Sequence, residues 1–343
     1  MPAFARSFSC EALAAWDAAN PANFVRQLFA RWALPGERAT VERPLRLCIR
    51  DGYLNFYAKG QSVAELSRTR KGPRMRVHRA YVSNLEDLEL SGGMSKSQYL
   101  TIDANALALP SSAMQLDRWI SRAEGFACAE KRFVDDLVAE NPGVVELEMA
   151  LPASDIPGAS RVAPRMDLVL VQIDGAAMPT IAFWEAKCSI NSELRAKSEY
   201  EMRGDGRVVG PKVVHQVHKY VAWMQEPDRS AQVAQAYRLS GFILIELHRI
   251  FRGDEGGAPA CLHLWKALAA CDPVIVEQPG VVVGNYCPEK HSMLEPGRFA
   301  RYATSFVENG HREKLGRNGI IVHQVPSPCD ALLPLLPQFK VAA

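Results

Sequence analysis

Apolar residues return at helical spacing through Phe24, Val25, Leu28, Phe29 and Trp32 and stop at Leu34-Pro35-Gly36, which predicts a helix there. Residues 45–58, LRLCIRDGYLNFYA, set Asp51-Gly52 between two apolar-rich runs and predict a β-hairpin, with a further strand from Met75 to Val82. From Ala113 to Asn141 the residues Trp119, Ile120, Phe126, Phe133, Leu137 and Val138 repeat with a helical period. One long helix or two short ones are expected, closed by Asn141-Pro142-Gly143.

Three β-rich runs follow, Val144–Leu151, Met166–Ile173 and Thr180–Ala186, the last two joined by Asp174-Gly175. A polar stretch, 191–212, leads into a helix over Val213–Met224, and the apolar run GFILIELHRI, 241–250, reads as a buried strand. The order is therefore α-β-β-β-α-β. Beyond it the pattern predicts a helix over Cys261–Cys271, strands near Val274 and Val281, a helix over Arg298–Val307 and a strand over Gly319–Val325. No internal repeat or low-complexity tract interrupts this.

This pattern divides the 343 residues into an N-terminal α+β region, 1–115, ending in the loop Leu109–Ser112, a central unit, 116–255, and a C-terminal α/β extension, 256–343. With 48% hydrophobic and 23% charged residues, the composition is that of a soluble globular protein. No apolar stretch is long enough for a membrane span, and the N-terminus lacks a charged-then-apolar secretory layout, so a cytoplasmic location without membrane association is expected. The eight cysteines, Cys10, Cys48, Cys128, Cys188, Cys261, Cys271, Cys287 and Cys329, form no C-x-x-C pair and read as reduced thiols. A formal net charge of +2 excludes a wholesale attraction to nucleic acid, so any such contact depends on local charge. Two stretches concentrate cations: 68–79, which includes Arg70 and Arg74, and the polar stretch with Arg195, Lys197, Arg203, Arg207 and Lys212 among Gly204, Gly206 and Gly210. The first is a DNA-contacting hairpin or a solvated strand and turn; the second is placed to border a cleft and grip phosphates.

Chemistry concentrates on two of the predicted strands. Asp167 interrupts MDLVLVQI, and Glu185 with Lys187 interrupts IAFWEAKCS. Burying charge is unfavourable unless it is paired or bound to metal. Residues two apart on a strand face the same way, so Glu185 and Lys187 share one face, Trp184 and Ala186 take the other, and a hairpin lets Asp167 join the first pair. Two carboxylates and a backbone carbonyl suit a hard cation such as Mg²⁺, which makes hydroxide available and offsets charge on a phosphate. An ammonium beside it can orient the attacking water and stabilise the transition state.

Pro164-Arg-Met-Asp167 followed by Glu185-Ala-Lys187 resembles the signature of the PD-(D/E)XK nuclease superfamily. Glu130 on the preceding helix, in AEKRFVDDLVAEN, and Gln216 with Tyr220, a Q-x-x-x-Y pair on one face of the following helix, resemble its RecB-like and lambda-exonuclease-like branch. The resemblance covers about residues 120–250, and the order α-β-β-β-α-β agrees with that family's core. It implies a restriction-endonuclease-like three-layer α/β core with a mixed central sheet, beside the N-terminal α+β region. It further implies hydrolysis of DNA phosphodiester bonds with Mg²⁺, for which Mn²⁺ can substitute. In that reading Glu130, Asp167 and Glu185 are metal ligands, Lys187 stabilises charge, and Gln216 and Tyr220 position the lysine or contact a phosphate.

Other readings stand beside this one. Glu185 and Lys187 can be a same-face ion pair on an edge strand. His215 and His218, three apart, can be ligands of a zinc-type site with a carboxylate. The fold can also serve a catalytically inactive nucleic-acid-binding or interaction protein. No P-loop and no G-x-S-x-G supports an NTPase or an esterase.

Overall fold

The computed structural model of the chain describes residues 3–82, 98–109, 113–152, 165–173, 178–204, 207–253, 259–284 and 296–325. Pro164, the Asp174-Gly175 turn, Pro110–Ser112, Gly206, Cys287 and Cys329 lie outside them. Two main sheets, with helices on both faces of the second, give a mixed α/β architecture.

Helices α1 (Cys10–Ala19) and α2 (Phe24–Ala30) come first; α2 follows the periodicity of Phe24, Val25, Leu28 and Phe29, all buried, and Asn23 caps it through the Arg26 N–H. Five antiparallel strands then form a meander in chain order: β1 (Arg46–Ile49), β2 (Tyr53–Ala58), β3 (Gln61–Thr69), β4 (Gly72–His78) and β5 (Tyr99–Ile102). The Asp51-Gly52 hairpin is where the sequence placed it. The cationic stretch 68–79 is the β3–β4 hairpin, although Gly72-Pro73 in the sequence favours a loop. Pro73 is accommodated because β5 pairs β4 only from Met75 onward, leaving the proline on an unpaired edge. The predicted strand ends early, at His78, and Arg79–Tyr81 is a 3-10 turn.

The interval 113–141 holds two helices rather than one, α4 (Ala113–Gly125) and α5 (Ala129–Glu140), after the short α3 (Ala104–Ala108). The second sheet begins with β6 (Val144–Ala150), β7 (Arg165–Gln172) and β8 (Thr180–Cys188), an antiparallel meander. A small ribbon, β9 (Glu201–Met202) with β10 (Val208–Val209), precedes α6 (Lys212–Met224).

The run 241–250 corrects a sequence-based expectation: it belongs to the 23-residue helix α7 (Arg229–Phe251) and is no strand. Its apolar residues serve both periods, but Tyr237, Ser240, Gly241, Leu244, Leu247 and His248 fall on one buried helical stripe, while Phe242 is half exposed. At Gly241 a side chain would meet the Trp265 carbonyl of α8 (Ala260–Ala270) at 2.9 Å, so glycine lets the two helices close together. The main strand that follows α6 in the sheet comes later. It is β12 (Gly280–Gly284), parallel to β8, with β13 (Ile321–Val325) parallel beyond it and β11 (Val274–Ile275) pairing the start of β8. Gly280 leaves room for the Trp184 ring, which a side chain there would strike at 2.5 Å. Helices α9 (Pro296–Glu308) and α10 (His311–Arg317) lead into β13.

The two faces of the second sheet bury different residues. Leu168, Leu170, Ala182, Trp184 and Ala186 pack with Phe133, Leu137 and Val138 of α5. Val169, Val171, Ile181 and Phe183 pack with Val217, Tyr220, Trp223, Tyr237 and Trp265 of α6–α8, in a core that continues into the first sheet. Among the described residues, no helix is long and apolar enough to cross a membrane.

Candidate metal-binding and catalytic centre

The ladder between β7 and β8 runs from Gln172↔Thr180 to Leu168↔Trp184. Just beyond its last pair, the Ala186 N–H donates to Asp167 Oδ2 at 2.8 Å, so the carboxylate side chain takes over from the backbone. On β8, Glu185 and Lys187 share a face, as the period of two requires, and are 1% and 5% exposed. The Lys187 ammonium lies 2.6 Å from Glu185 Oε1, 3.2 Å from Glu130 Oε1 and 3.5 Å from Glu193 Oε2. The structure thus gathers Glu130, Asp167, Glu185 and Lys187, which the sequence placed on a helix and two strands.

Electrostatics at this centre is unbalanced. Burial pushes the Asp167 carboxyl up to about 6, against the opposing pull of Lys187 and the Ala186 amide. Burial, then the charge of Asp167, holds Glu185 well above the usual carboxylate range. Burial alone would lower the Lys187 ammonium, but Glu185, Asp167 and Glu130 together raise it, so it stays protonated. Glu185 Oε2 is buried without a hydrogen-bond partner. Among the described residues, no three His, Cys, Asp or Glu side chains stand at coordination spacing, since Lys187 lies between Glu185 and Glu130. The donors are nonetheless all carboxylates, with one oxygen unsatisfied, which fits a hard, oxygen-preferring cation.

Two residues that the sequence did not single out complete the centre. Asn191 donates to Glu130 Oε2 at 2.7 Å and accepts the Glu193 N–H at 2.8 Å, a local turn that presents Glu193 to Lys187. Their only signal is the Asn-x-Glu spacing just after the strand. Glu148, in β6 with φ of 48°, takes Lys131 at 3.0 Å and Arg165 at 2.9 Å, and its charge also raises Asp167.

Gln216 and Tyr220 lie on one face of α6 but do not bond to the lysine. Gln216 donates to the Arg165 carbonyl at 2.9 Å and the buried Tyr220 hydroxyl to the Met149 carbonyl at 2.7 Å, which ties α6 to β7 and β6. Burial and the charges of Glu185 and Asp167 raise the Tyr220 hydroxyl well above its ordinary value, so it sits against the acidic centre. Arg195 is turned inward, to the Ser189 and Tyr302 carbonyls and the Ser305 hydroxyl, and its guanidinium lies over the Tyr302 ring. That joins the loop after β8 to α9 in place of a free phosphate grip. Arg203, Arg207 and Lys212 are exposed on and beside the β9–β10 ribbon, and Arg70 and Arg74 are exposed on the β3–β4 hairpin.

His215 and His218 do not converge on a shared ligand position. His215 Nδ1 lies 3.4 Å from the Tyr200 hydroxyl, and His218 Nε2 lies 3.2 Å from the Asn318 carbonyl. In comparisons with known proteins, the chain matches no family model, no curated protein and no solved structure.

Proposed function

We propose that the protein is a metal-dependent nuclease with a restriction-endonuclease-like core, hydrolysing phosphodiester bonds of DNA. One observation carries this reading: a single buried ammonium, Lys187, is shared by Glu185 and Glu130 beside Asp167, and one Glu185 oxygen is left without a partner. A buried group of mostly like charges with perturbed proton affinities marks a functional centre more often than a structural one. Where the expected order has one strand after α6, the chain passes through α7 and α8 before β11 and β12 join β8.

Asp167, Glu185 and Glu130 would hold Mg²⁺, or Mn²⁺ in its place, which supplies a water of lowered pKa and offsets charge on the phosphate. Lys187, kept protonated by its carboxylates, orients the attacking water and stabilises the negative charge that develops on the phosphate oxygens. Tyr220 and Gln216 hold the β6 and β7 backbones and so fix where Asp167 stands. Arg70, Arg74, Arg203, Arg207 and Lys212 are exposed cations that would contact the DNA backbone.

The test is cleavage of linear and circular DNA, single- and double-stranded, in Mg²⁺ or Mn²⁺, by the native protein and by Asp167→Ala and Lys187→Ala. Metal-dependent cleavage that both substitutions abolish is the expected result. Binding without cleavage under every condition would establish an inactive nucleic-acid-binding protein instead.

A further inference from the structure

The first sheet has one face in the core and another that lines a cleft of about 600 Å³ reaching Lys131, Glu148 and Arg165. Arg165 is two residues before Asp167 on β7, Lys131 follows Glu130 on α5, and the charge of Glu148 acts on Asp167, so this end of the cleft neighbours the acidic centre. On β4 the alternation is strict: Met75 and Val77 are buried, while Arg74, Arg76 and His78 turn the other way.

The cleft is lined with rings. His78 stands 5.3 Å from Tyr99 and 5.5 Å from Tyr81, and Tyr81 stands 5.9 Å from Phe126, between ring centroids. Phe126 is 61% exposed at the lip, and Arg76 lies over the Tyr99 ring at 4.4 Å. The Phe126 carbonyl accepts from Gln61, and the ring touches Tyr81 while most of its surface stays in water. Cations lie nearby: Arg74, outside the cleft lining, is exposed on the same face of β4 two residues before Arg76, and the lining Arg165 side chain, 62% exposed, makes a surface ion pair with Glu148 that a phosphate can replace.

We propose that this cleft binds an unpaired nucleic-acid strand, with bases stacked on Phe126 and Tyr99 and phosphates on Arg165 and Arg74, and leads it to the Asp167–Glu185–Lys187 centre. The proposal rests on the nuclease reading and adds the substrate class. Base faces are accessible only where a strand is unpaired, and aromatic side chains on a sheet face next to cations are the chemistry that recognises them. A duplex offers its phosphates but keeps its base faces covered, so the rings favour the single strand.

The test is fluorescence anisotropy with labelled oligothymidylate and a blunt duplex, without divalent metal, on native protein, Phe126→Ala and Tyr99→Leu, with circular dichroism to verify folding. Oligouridylate as a parallel arm identifies the preferred sugar. The native protein is expected to bind the single strand more tightly than the duplex. Each substitution is expected to weaken strand binding about 5- to 150-fold, the worth of one stacked base, while duplex binding stays unchanged. Equal affinity for strand and duplex, or folded variants that bind the strand as native does, would overturn the proposal. Failure of the nuclease reading looks different: cleavage is absent in Mg²⁺ while tight strand binding persists.

Discussion

Glu146 and Glu185 are both 1% exposed on strands of the same sheet, and the chain treats them in opposite ways. Glu146 receives Arg6 on both oxygens, at 2.6 and 2.9 Å, the Tyr237 hydroxyl at 2.9 Å, and an ion pair with Arg50. Two guanidiniums face one carboxylate, and its oxygens are satisfied. Around Glu185 the balance is reversed, with Asp167, Glu130 and Glu193 sharing the single ammonium of Lys187 and one oxygen unpartnered. A buried charge whose partners are complete is part of the scaffold; one surrounded by like charges is the place where the proposed cation would act. The Glu146 cluster joins residue 6, β1–β2 and α7 to β6, which is a structural task.

The largest expected effect breaks the scaffold side of this contrast. Glu146→Ala leaves Arg6 and Arg50 buried without their counter-charge and is expected to lower unfolding free energy by about 3–5 kcal/mol in urea titrations. A loss below about 1 kcal/mol would show that the cluster is not holding the two sheets together.

On the other side the sign reverses. The native state holds the Asp167 carboxyl at about 6, above the unfolded value of 3.8, so the fold favours its protonated form. Ionising it therefore destabilises the metal-free protein progressively as pH rises from about 4 to about 6, and fully above that. Asp167→Asn, which can still accept the Ala186 N–H, is expected to stabilise the metal-free protein by about 3 kcal/mol above pH ~6 and to have no such effect below pH ~4. Urea midpoints at the two pH values read this directly, and a destabilised variant at the higher pH would place Asp167 with the scaffold group.

A smaller effect sharpens the comparison. Asn191 touches the centre only through Glu130 and the Glu193 backbone, so Asn191→Ala should weaken Mg²⁺ binding about 10- to 100-fold by calorimetry while leaving stability nearly unchanged. Unchanged affinity would mean that Glu130 is positioned without it.

The parts legible in the sequence were those fixed by short-range pattern. Ionisable residues at a period of two within apolar strands put Glu185 and Lys187 on one face, and the Asp51-Gly52 turn and the helices around Phe24, Phe133 and Val217 followed their periodicity. The run 241–250 was not legible, because ten mostly apolar residues satisfy a buried strand and a buried helix alike; only its continuity with Tyr237 and Ser240 decides for the helix. The displaced β12, and the inward turn of Arg195 onto α9, depend on contacts across more than ninety residues that no local pattern encodes. Asn191 and Glu193 were hidden for a related reason: a polar loop after a strand gives no sign of which side chains fold back.

The most direct measurement pairs Mg²⁺ calorimetry with DNA cleavage on the native protein and Glu185→Gln, a change that keeps shape and removes charge. The native protein is expected to bind the ion and cleave, and the folded variant to do neither. A Glu185→Gln protein that cleaves DNA as fast as the native one would contradict the assignment of this centre.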